Sequence, residues 1–432
     1  MSYLSAFRNH SRHECLTRSL FIISFLLLLL TLPLSFINEK SGRIIFYFCS
    51  YLSIFGILIN SRKIKSIITS SKIVTPFFVL SAMYFIWSVI AKHHAIPGVD
   101  NGLLFTPAKR WFLATLISMF ILWGIRQGII SKKWLYILTW SSLSAAFLFS
   151  SAEGIWQHIN HIDRITLGIN RATMTAYAYS AMALSLMTML SQIRYVPIRH
   201  VAIILTYLLS VYIIFLTETR SAMFIHIMLG LILTINALWQ SKSFRIFPVI
   251  AIILSFVVIA ILGKNIVESR FDTTKQEISR FNEGDDHTSL GSRFTMWKSG
   301  MVAITKHPFG ETQITRNNII RQWLNSSHNA NSFALDYIDV HLHNEFIQYA
   351  SLFGIFGVIA LLFFYGRLLF DNSLVGFLSN PVSLVVLSAL LYGITDVLLT
   401  SVEYVVVFST LILLACANIG AKTNNAREKQ AR

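Results

Sequence analysis

The sequence predicts an all-α polytopic membrane protein with about twelve transmembrane helices and one long outward loop that contains short helices. Three observations carry this. Of 432 residues, 54% are hydrophobic and only 13% charged, with a mean hydropathy of +0.61; soluble domains carry about 25% charged residues. Apolar runs recur at the length needed to cross a bilayer, roughly 17–25 residues. A single polar stretch near 264–344 interrupts them, which divides the chain into 1–263 (spans one to nine), 264–344 (the loop domain) and 345–432 (spans ten to twelve and a cytoplasmic tail).

The runs lie near 19–37, 44–60, 74–91, 111–125, 134–152, 173–190, 201–217, 221–239, 246–263, 345–369, 382–399 and 402–419. The first follows Arg8, Arg12 and Arg18 and could imitate a secretion signal. It is too long for the apolar core of one, lacks a clean small-residue cleavage site, and reads as the first transmembrane helix. Basic residues set the orientation. Arg8, Arg12, Arg18, Arg62, Lys63, Lys65, Lys72, Arg126, Lys132, Lys133, Arg194, Arg199, Lys242, Arg245, Arg367, Lys422, Arg427, Lys429 and Arg432 fall on the side of the N-terminus. Both termini are therefore expected in the cytoplasm and the long loop in the periplasm or exterior. The net charge of +16 is mainly this topology signal. No basic stripe or folded basic domain supports nucleic-acid binding. Cys15, Cys49 and Cys416 lack CxxC spacing and report neither a disulfide framework nor a zinc site.

The loop is balanced in charge and is not a linker. Leu290, Phe294, Trp297, Met301 and Ile304 repeat at helical spacing, with Arg293 one turn from Trp297, and Pro308 ends the run. The polar, Asn/Ser-rich stretch 309–340 reads as a mobile flap or a substrate-facing cover. The acidic residues Glu283, Asp285 and Asp286 sit in a Gly-containing setting that suits a solvated loop better than a metal site.

Candidate chemistry concentrates in His341-Leu342-His343-Asn344-Glu345, at the mouth of the tenth span. At about 100° per residue Gly354 and Gly357 fall within roughly 40° of His343 on the helical wheel, so the histidine is expected at the head of a helix and on the same face as the glycines. That face is bare enough for another backbone to pack closely. His341, two residues away, is expected to point elsewhere. An imidazole held at a membrane surface suits proton transfer on a lipid-borne substrate, although a helix-capping or interfacial histidine is the plainer alternative. Arg220, in the short turn Leu216-Thr217-Glu218-Thr219-Arg220-Ser221, presents planar donors suited to phosphate, or else snorkels to headgroups. Asp396 lies near the outer end of the eleventh span, where ionisable groups are usually paired or functional. Arg164 lies in the outward loop 153–172, where an ordinary loop charge is the simpler reading.

The combination says more than any one residue. Arg164, Arg220, Arg293, His343 and Asp396 come from five regions, and a topology set by other residues places all five on the outward side. Arginines and a histidine close to lipid suit a polyprenyl pyrophosphate substrate, with the arginines on the pyrophosphate and the histidine taking a proton from an acceptor.

These residues also carry a family resemblance. The pattern His343-Asn344-x9-Gly354-x2-Gly357 preceded by Val340-His341-Leu342, the turn Thr217-x-Thr219-Arg220, the segment Ser289-Leu290-Gly291-x-Arg293, Asp163-Arg164-Ile165 and Thr395-Asp396 resemble the bacterial O-antigen ligases, within the wider O-antigen ligase/polymerase superfamily. The resemblance covers nearly the whole chain, in detail in its C-terminal half and weakly in the first five spans. Glu218 stands where the family pattern leads one to expect glutamine. The resemblance implies a GT-C-like glycosyltransferase of the Gram-negative inner membrane, independent of metal and cofactor. It would transfer O-antigen glycan from undecaprenyl pyrophosphate to lipid A-core at a periplasmic site. His343 would be the base and Arg220 and Arg293 would bind pyrophosphate. Arg164, Asp396, His341 and Asn344 would support the site. The O-antigen polymerase shares the donor and stays open as an alternative. A transporter or flippase is less favoured, because the marked residues gather at one surface and not at mid-membrane.

Overall fold

A computed structural model describes residues 12–93, 105–239, 246–327, 330–370 and 376–430, and among these the chain is helical with no strand. Among the described residues nine helices are long and apolar enough to cross a membrane: α1 (Arg12–Ile37), α2 (Glu39–Ile59), α4 (Val74–His93), α5 (Phe105–Arg126), α6 (Lys132–Ile159), α8 (Val196–Leu216), α9 (Arg220–Trp239), α13 (Glu345–Phe370) and α15 (Val402–Gln430). A short α3 (Ile64–Ile68) joins α2 to α4. The protein is thus an integral, polytopic membrane protein. Of the topology-setting residues, Arg8, Lys242, Arg245 and Arg432 lie outside the described residues.

Helices also cover the other three apolar runs, and each differs from a simple span for its own reason. The helix α7 (Ala172–Leu190) is buried without interruption from Met174 to Leu190, so it is the central post of the bundle and not a lipid-facing helix. It packs against α6, α8, α9, α14 and α15. The helix α10 (Ile246–Asn282) does not stop at 263 as the hydropathy predicts but continues to Asn282 as one 37-residue rod. Its last turns therefore belong to the polar end of the molecule. The helix α14 (Pro381–Gly393) has only 13 residues, because the chain unwinds over 394–401 before α15 begins. Some polar groups inside the bundle find partners on neighbouring helices, which an apolar interior favours. His226 on α9 meets Ser180 at Nδ1 (2.9 Å) and Ser210 at Nε2 (2.8 Å), and Tyr392 donates to Ser180 (2.6 Å).

The stretch 283–344 is a packed subdomain and not a loose cover. The helix α11 (Ser289–Lys306) is capped by Thr288, whose hydroxyl accepts from Gly291 N, and α12 (Gln313–Ser326) by Thr312, which accepts from Thr315 N. Met296, Ile320, Leu324, Ala334, Ile338 and Leu342 form its core. The face of α11 predicted to be buried is not the one that is. Gly291, Ser292, Thr295, Met296, Ser299, Gly300 and Ala303 are buried, whereas Met301 is exposed and Leu290, Phe294, Trp297 and Ile304 are half-buried. Small residues win that face because α13 approaches closely: a Cβ on Gly300 would lie 2.5 Å from Ile347 Cγ2. Asp285 pairs with Arg280 (2.6 Å), and Asp286 accepts from Ser332 and from Phe333 N, so this acidic stretch is tied into the loop structure.

Two stitches fix the subdomain on α13. Gly354 breaks that helix (φ 59°, ψ −148°), and the freed backbone bonds the turn after α11: Ile355 N donates to Pro308 O (2.9 Å) and Glu311 N to Leu352 O (2.8 Å). A backbone does pack against Gly354, as predicted, but at a break in the helix and not along a continuous face. Gly357 is crowded by Tyr349 and Phe353 of its own helix. In the second stitch the fully buried Arg316 donates to Gln348 Oε1 (3.0 Å) and Ile338 O (2.6 Å), and Leu342 N donates to the same Gln348 oxygen (3.0 Å). This holds the segment that carries His341 and His343 onto the first turns of α13.

Two outcomes follow. A Cβ at Gly354 would sit 2.3 Å from Phe309 C in a conformation open essentially to glycine alone, so Gly354→Ala is expected to cost about 1–3 kcal/mol. The melting temperature of the purified protein should fall and proteolysis near 306–312 should rise; an unchanged melting curve would contradict the stitch. The second outcome concerns Glu311, whose carboxylate is buried with no hydrogen-bond partner and has His307 Nε2 at 3.7 Å. Burial pushes this carboxyl up to about 7, against the lowering influence of Arg316 and Lys306. The folded state therefore holds the proton more tightly than the unfolded chain. Its stabilising contribution is complete below the ordinary carboxylate range and is lost as pH rises through 7. Glu311→Gln should melt higher than the parent at pH 8 and close to it at pH 4.5, and parallel pH slopes would refute the assignment.

Candidate functional site

The site is built where α13 begins and the bundle unwinds. Asn344 caps α13, its Oδ1 accepting from Ile347 N (3.0 Å), so His343 lies just before the helix and not within it. Asn344 Nδ2 donates to Ile394 O (2.8 Å), which brings the unwound segment 394–401 against the histidines. Glu345, the first residue of α13, is fully buried; one carboxylate oxygen accepts from Leu399 N (2.8 Å) and the other from Tyr365 (3.0 Å). Trp111 donates to Leu399 O (2.9 Å) from the other side. The backbone of 394–399 is thus held by side chains where no helix can satisfy it.

These anchors bring Asp396 to His343. Nδ1 of His343 lies 3.3 Å from Asp396 Oδ1, and the carboxylate is almost wholly buried and also accepts from Val397 N (2.9 Å). His343 itself adopts φ 49°, a left-handed conformation that costs a non-glycine residue about 1–2 kcal/mol. Its carbonyl accepts from Trp297 Nε1 of α11 (3.2 Å). A conformation of this kind persists where surrounding contacts over-determine it.

His341 does not point away. Its ring meets that of His343 edge-on with centroids 4.2 Å apart, and the ligating atoms of His341, His343 and Asp396 all lie within 4.8 Å of one another. The prediction failed because it placed both residues on one helix, whereas neither lies in one. Burial, then the neighbouring His343 charge, pushes the His341 imidazole down to about 4, so it is neutral near pH 7. The three groups could hold a divalent cation. They could equally act as an oriented imidazole, with Asp396 fixing the ring through Nδ1 and leaving Nε2 to accept a proton.

Of the predicted arginines, Arg293 on α11 belongs to this centre: its charge acts on Asp396 and His341. No ion pair or side-chain hydrogen bond engages it among the described residues. Arg220 begins α9 in the adjacent turn and grips the carboxylate of Glu277 with both terminal nitrogens (2.8 and 3.1 Å). Arg164 braces that turn, Nε donating to Thr217 O (3.2 Å), while Ile165 N donates to Leu216 O (3.3 Å). Glu218, at the turn's centre, takes φ 51°. Tyr177 of α7 links the two clusters: its hydroxyl meets Ser221 (2.8 Å), and it lies within electrostatic reach of Asp396 and Arg293.

The sequence reading missed three participants. Arg171, at the head of α7, acts electrostatically on His341; it shares the outward loop with Arg164, a signal that was available. Tyr177 looks like any aromatic residue in a span, and nothing in its spacing marks it. Glu277 stands 57 residues from Arg220 and pairs with it only because α10 runs on past the apolar stretch.

Residues 205–362, which include α8, the Arg220 turn, the subdomain and the His343 segment, match a family model described as O-antigen ligase. Over 438 aligned positions the chain is also 25% identical to the O-antigen ligase of Escherichia coli (strain K12), an alignment covering 98% of this chain and 100% of that protein. With its polytopic helical fold, the chain is thus similar to the O-antigen ligases, over residues 205–362 by the family model and over nearly its whole length by the relative.

Proposed function

We propose that the protein is an O-antigen ligase of the bacterial inner membrane, an inverting and metal-independent glycosyltransferase. It moves O-antigen glycan from undecaprenyl pyrophosphate to lipid A-core at the periplasmic end of the helix bundle. The observation that carries this is the His343–Asp396 pair, 3.3 Å apart, with the charge of Arg293 acting on Asp396. The full-length match to a protein named O-antigen ligase supports the ligase over the polymerase.

The chemistry needs few parts. A diphosphate is already a good leaving group, so no general acid is required. Arg293 and Arg220 neutralise the charge that develops on it, the work a divalent cation does elsewhere. His343, oriented by Asp396, removes the proton from a core-sugar hydroxyl through Nε2. The hydroxyl oxygen then bonds to the anomeric carbon as the bond from that carbon to the diphosphate oxygen breaks. The protein offers one base and no carboxylate nucleophile in this role, which favours a single displacement with inversion. His341, neutral and packed on His343, and Asn344, which ties the histidine segment to Ile394, keep the base in place. Arg164 does the same for the Arg220 turn.

The test is transfer in vitro with the purified chain, lipid-linked donor and lipid A-core. His343→Ala should reduce turnover by about 10²–10⁴-fold while donor binding persists. Near-normal transfer would remove His343 from the mechanism. His341→Ala should also be damaging, because that ring packs directly on His343. EDTA should leave the parent rate unchanged. A strict metal requirement would instead assign His341, His343 and Asp396 as ligands and leave His343 without its role as base.

A further inference from the structure

Arg220 and Arg293 are not equivalent. Among the described residues Arg293 makes no ion pair or side-chain hydrogen bond, whereas both terminal nitrogens of Arg220 meet the two carboxylate oxygens of Glu277, a fork-to-fork pair with the carboxylate side chain only 10% exposed. That carboxylate takes two of the five N–H donors of Arg220, so an anion that binds the outer fork of the guanidinium must first displace it. Glu277 sits on the part of α10 that continues beyond the predicted span, so the pair also latches the outer end of α10 to the first residue of α9.

We infer that Glu277 is a specificity residue: it stands in for the donor's phosphate on Arg220 and excludes lipids that carry only one phosphate. The inference rests on the reading of Arg220 as a diphosphate-binding residue. Its physical basis is the exchange of one anion for another. The surrounding bilayer presents phosphate diesters, each bringing a single negative charge, and swapping a well-placed bidentate carboxylate for such a group gains little. A polyprenyl diphosphate brings charge on two adjacent phosphates. One can replace Glu277 on Arg220 while the other engages Arg293, so only the diphosphate brings more than it displaces. Once displaced, the Glu277 carboxylate faces a like-charged ligand, and repulsion moves the outer end of α10 away from the α9 turn. Donor binding is thereby coupled to release of the latch.

The experiment measures binding of radiolabelled undecaprenyl pyrophosphate and undecaprenyl monophosphate to the full chain in phosphatidylcholine nanodiscs. The parent should favour the diphosphate. Glu277→Gln keeps the side-chain size and removes the charge. If the pair occupies Arg220 nine-tenths of the time, the variant should gain about tenfold in affinity for both lipids and so bind the monophosphate that the parent excludes. Unchanged monophosphate affinity in Glu277→Gln, with diphosphate binding still lost in Arg220→Ala, would overturn this inference and leave the diphosphate role of Arg220 intact. Unchanged diphosphate binding in Arg220→Ala would overturn both. A second measurement does not alter Glu277. Spin labels at the exposed positions Ile162 and Lys275, in a chain with Cys15, Cys49 and Cys416 replaced, should move apart with undecaprenyl pyrophosphate and not with the monophosphate. A distance that stays the same with the diphosphate would refute the latch.

Discussion

The rest of the site depends on the buried carboxylate of Glu345. An unwound segment inside an apolar bundle leaves backbone donors and acceptors that neither water nor a helix can satisfy. Over 394–401 the protein supplies the partners from side chains. Glu345 takes Leu399 N, Trp111 gives to Leu399 O, and Asn344 gives to Ile394 O. Two of these three residues directly follow His343 in the chain. The contacts that make the unwound segment possible therefore also bring Asp396 to the histidine. Had α14 continued to the surface as an ordinary helix, Asp396 would lie on its wall with no reason to face His343.

The polar subdomain supplies the second constraint. It meets α13 at the Gly354 break and through Arg316, and it meets His343 through Trp297. An imidazole carried on a backbone at φ 49° would relax if left alone; here a helix cap on one side and an indole on the other hold it. The same subdomain carries Arg293. His343 and Arg293, to which we assign the base and a diphosphate contact, are thus positioned by one packed unit, the preorganisation that electrostatic stabilisation of a leaving group would require. Arg220 belongs to a different unit, the α8–α9 turn, and its guanidinium is tied to α10. On the proposed reading, relative movement of these units would govern access to Arg220 without disturbing His343.

Much of this was legible in the sequence. Hydropathy marks the spans, because composition and length alone decide what can cross a bilayer. His343, Asp396 and Arg293 are legible as partners, because the topology puts them on one side and ionisable residues there need a reason. What was not legible depends on breaks in periodicity. The helical-wheel argument linking His343 to Gly354 assumes an unbroken helix, and Gly354 itself breaks it. The separation of His341 from His343 assumed the same helix. On α11 the large apolar stripe looked like the buried face, but the close approach of α13 selected the small residues instead. Glu277 could not be found by spacing at all, since its partner is remote in the chain and reaches it only through the length of a rod that hydropathy ends too early.

The central claim is that Asp396 acts through His343 and that the two form one functional unit. A double-mutant cycle on glycan transfer tests it most directly, comparing His343→Ala, Asp396→Asn and the double variant. Groups that act as a unit show non-additive losses, whereas independent groups multiply theirs. The account predicts that the double variant is no slower than His343→Ala alone. A double variant whose loss equals the product of the two single losses would contradict it.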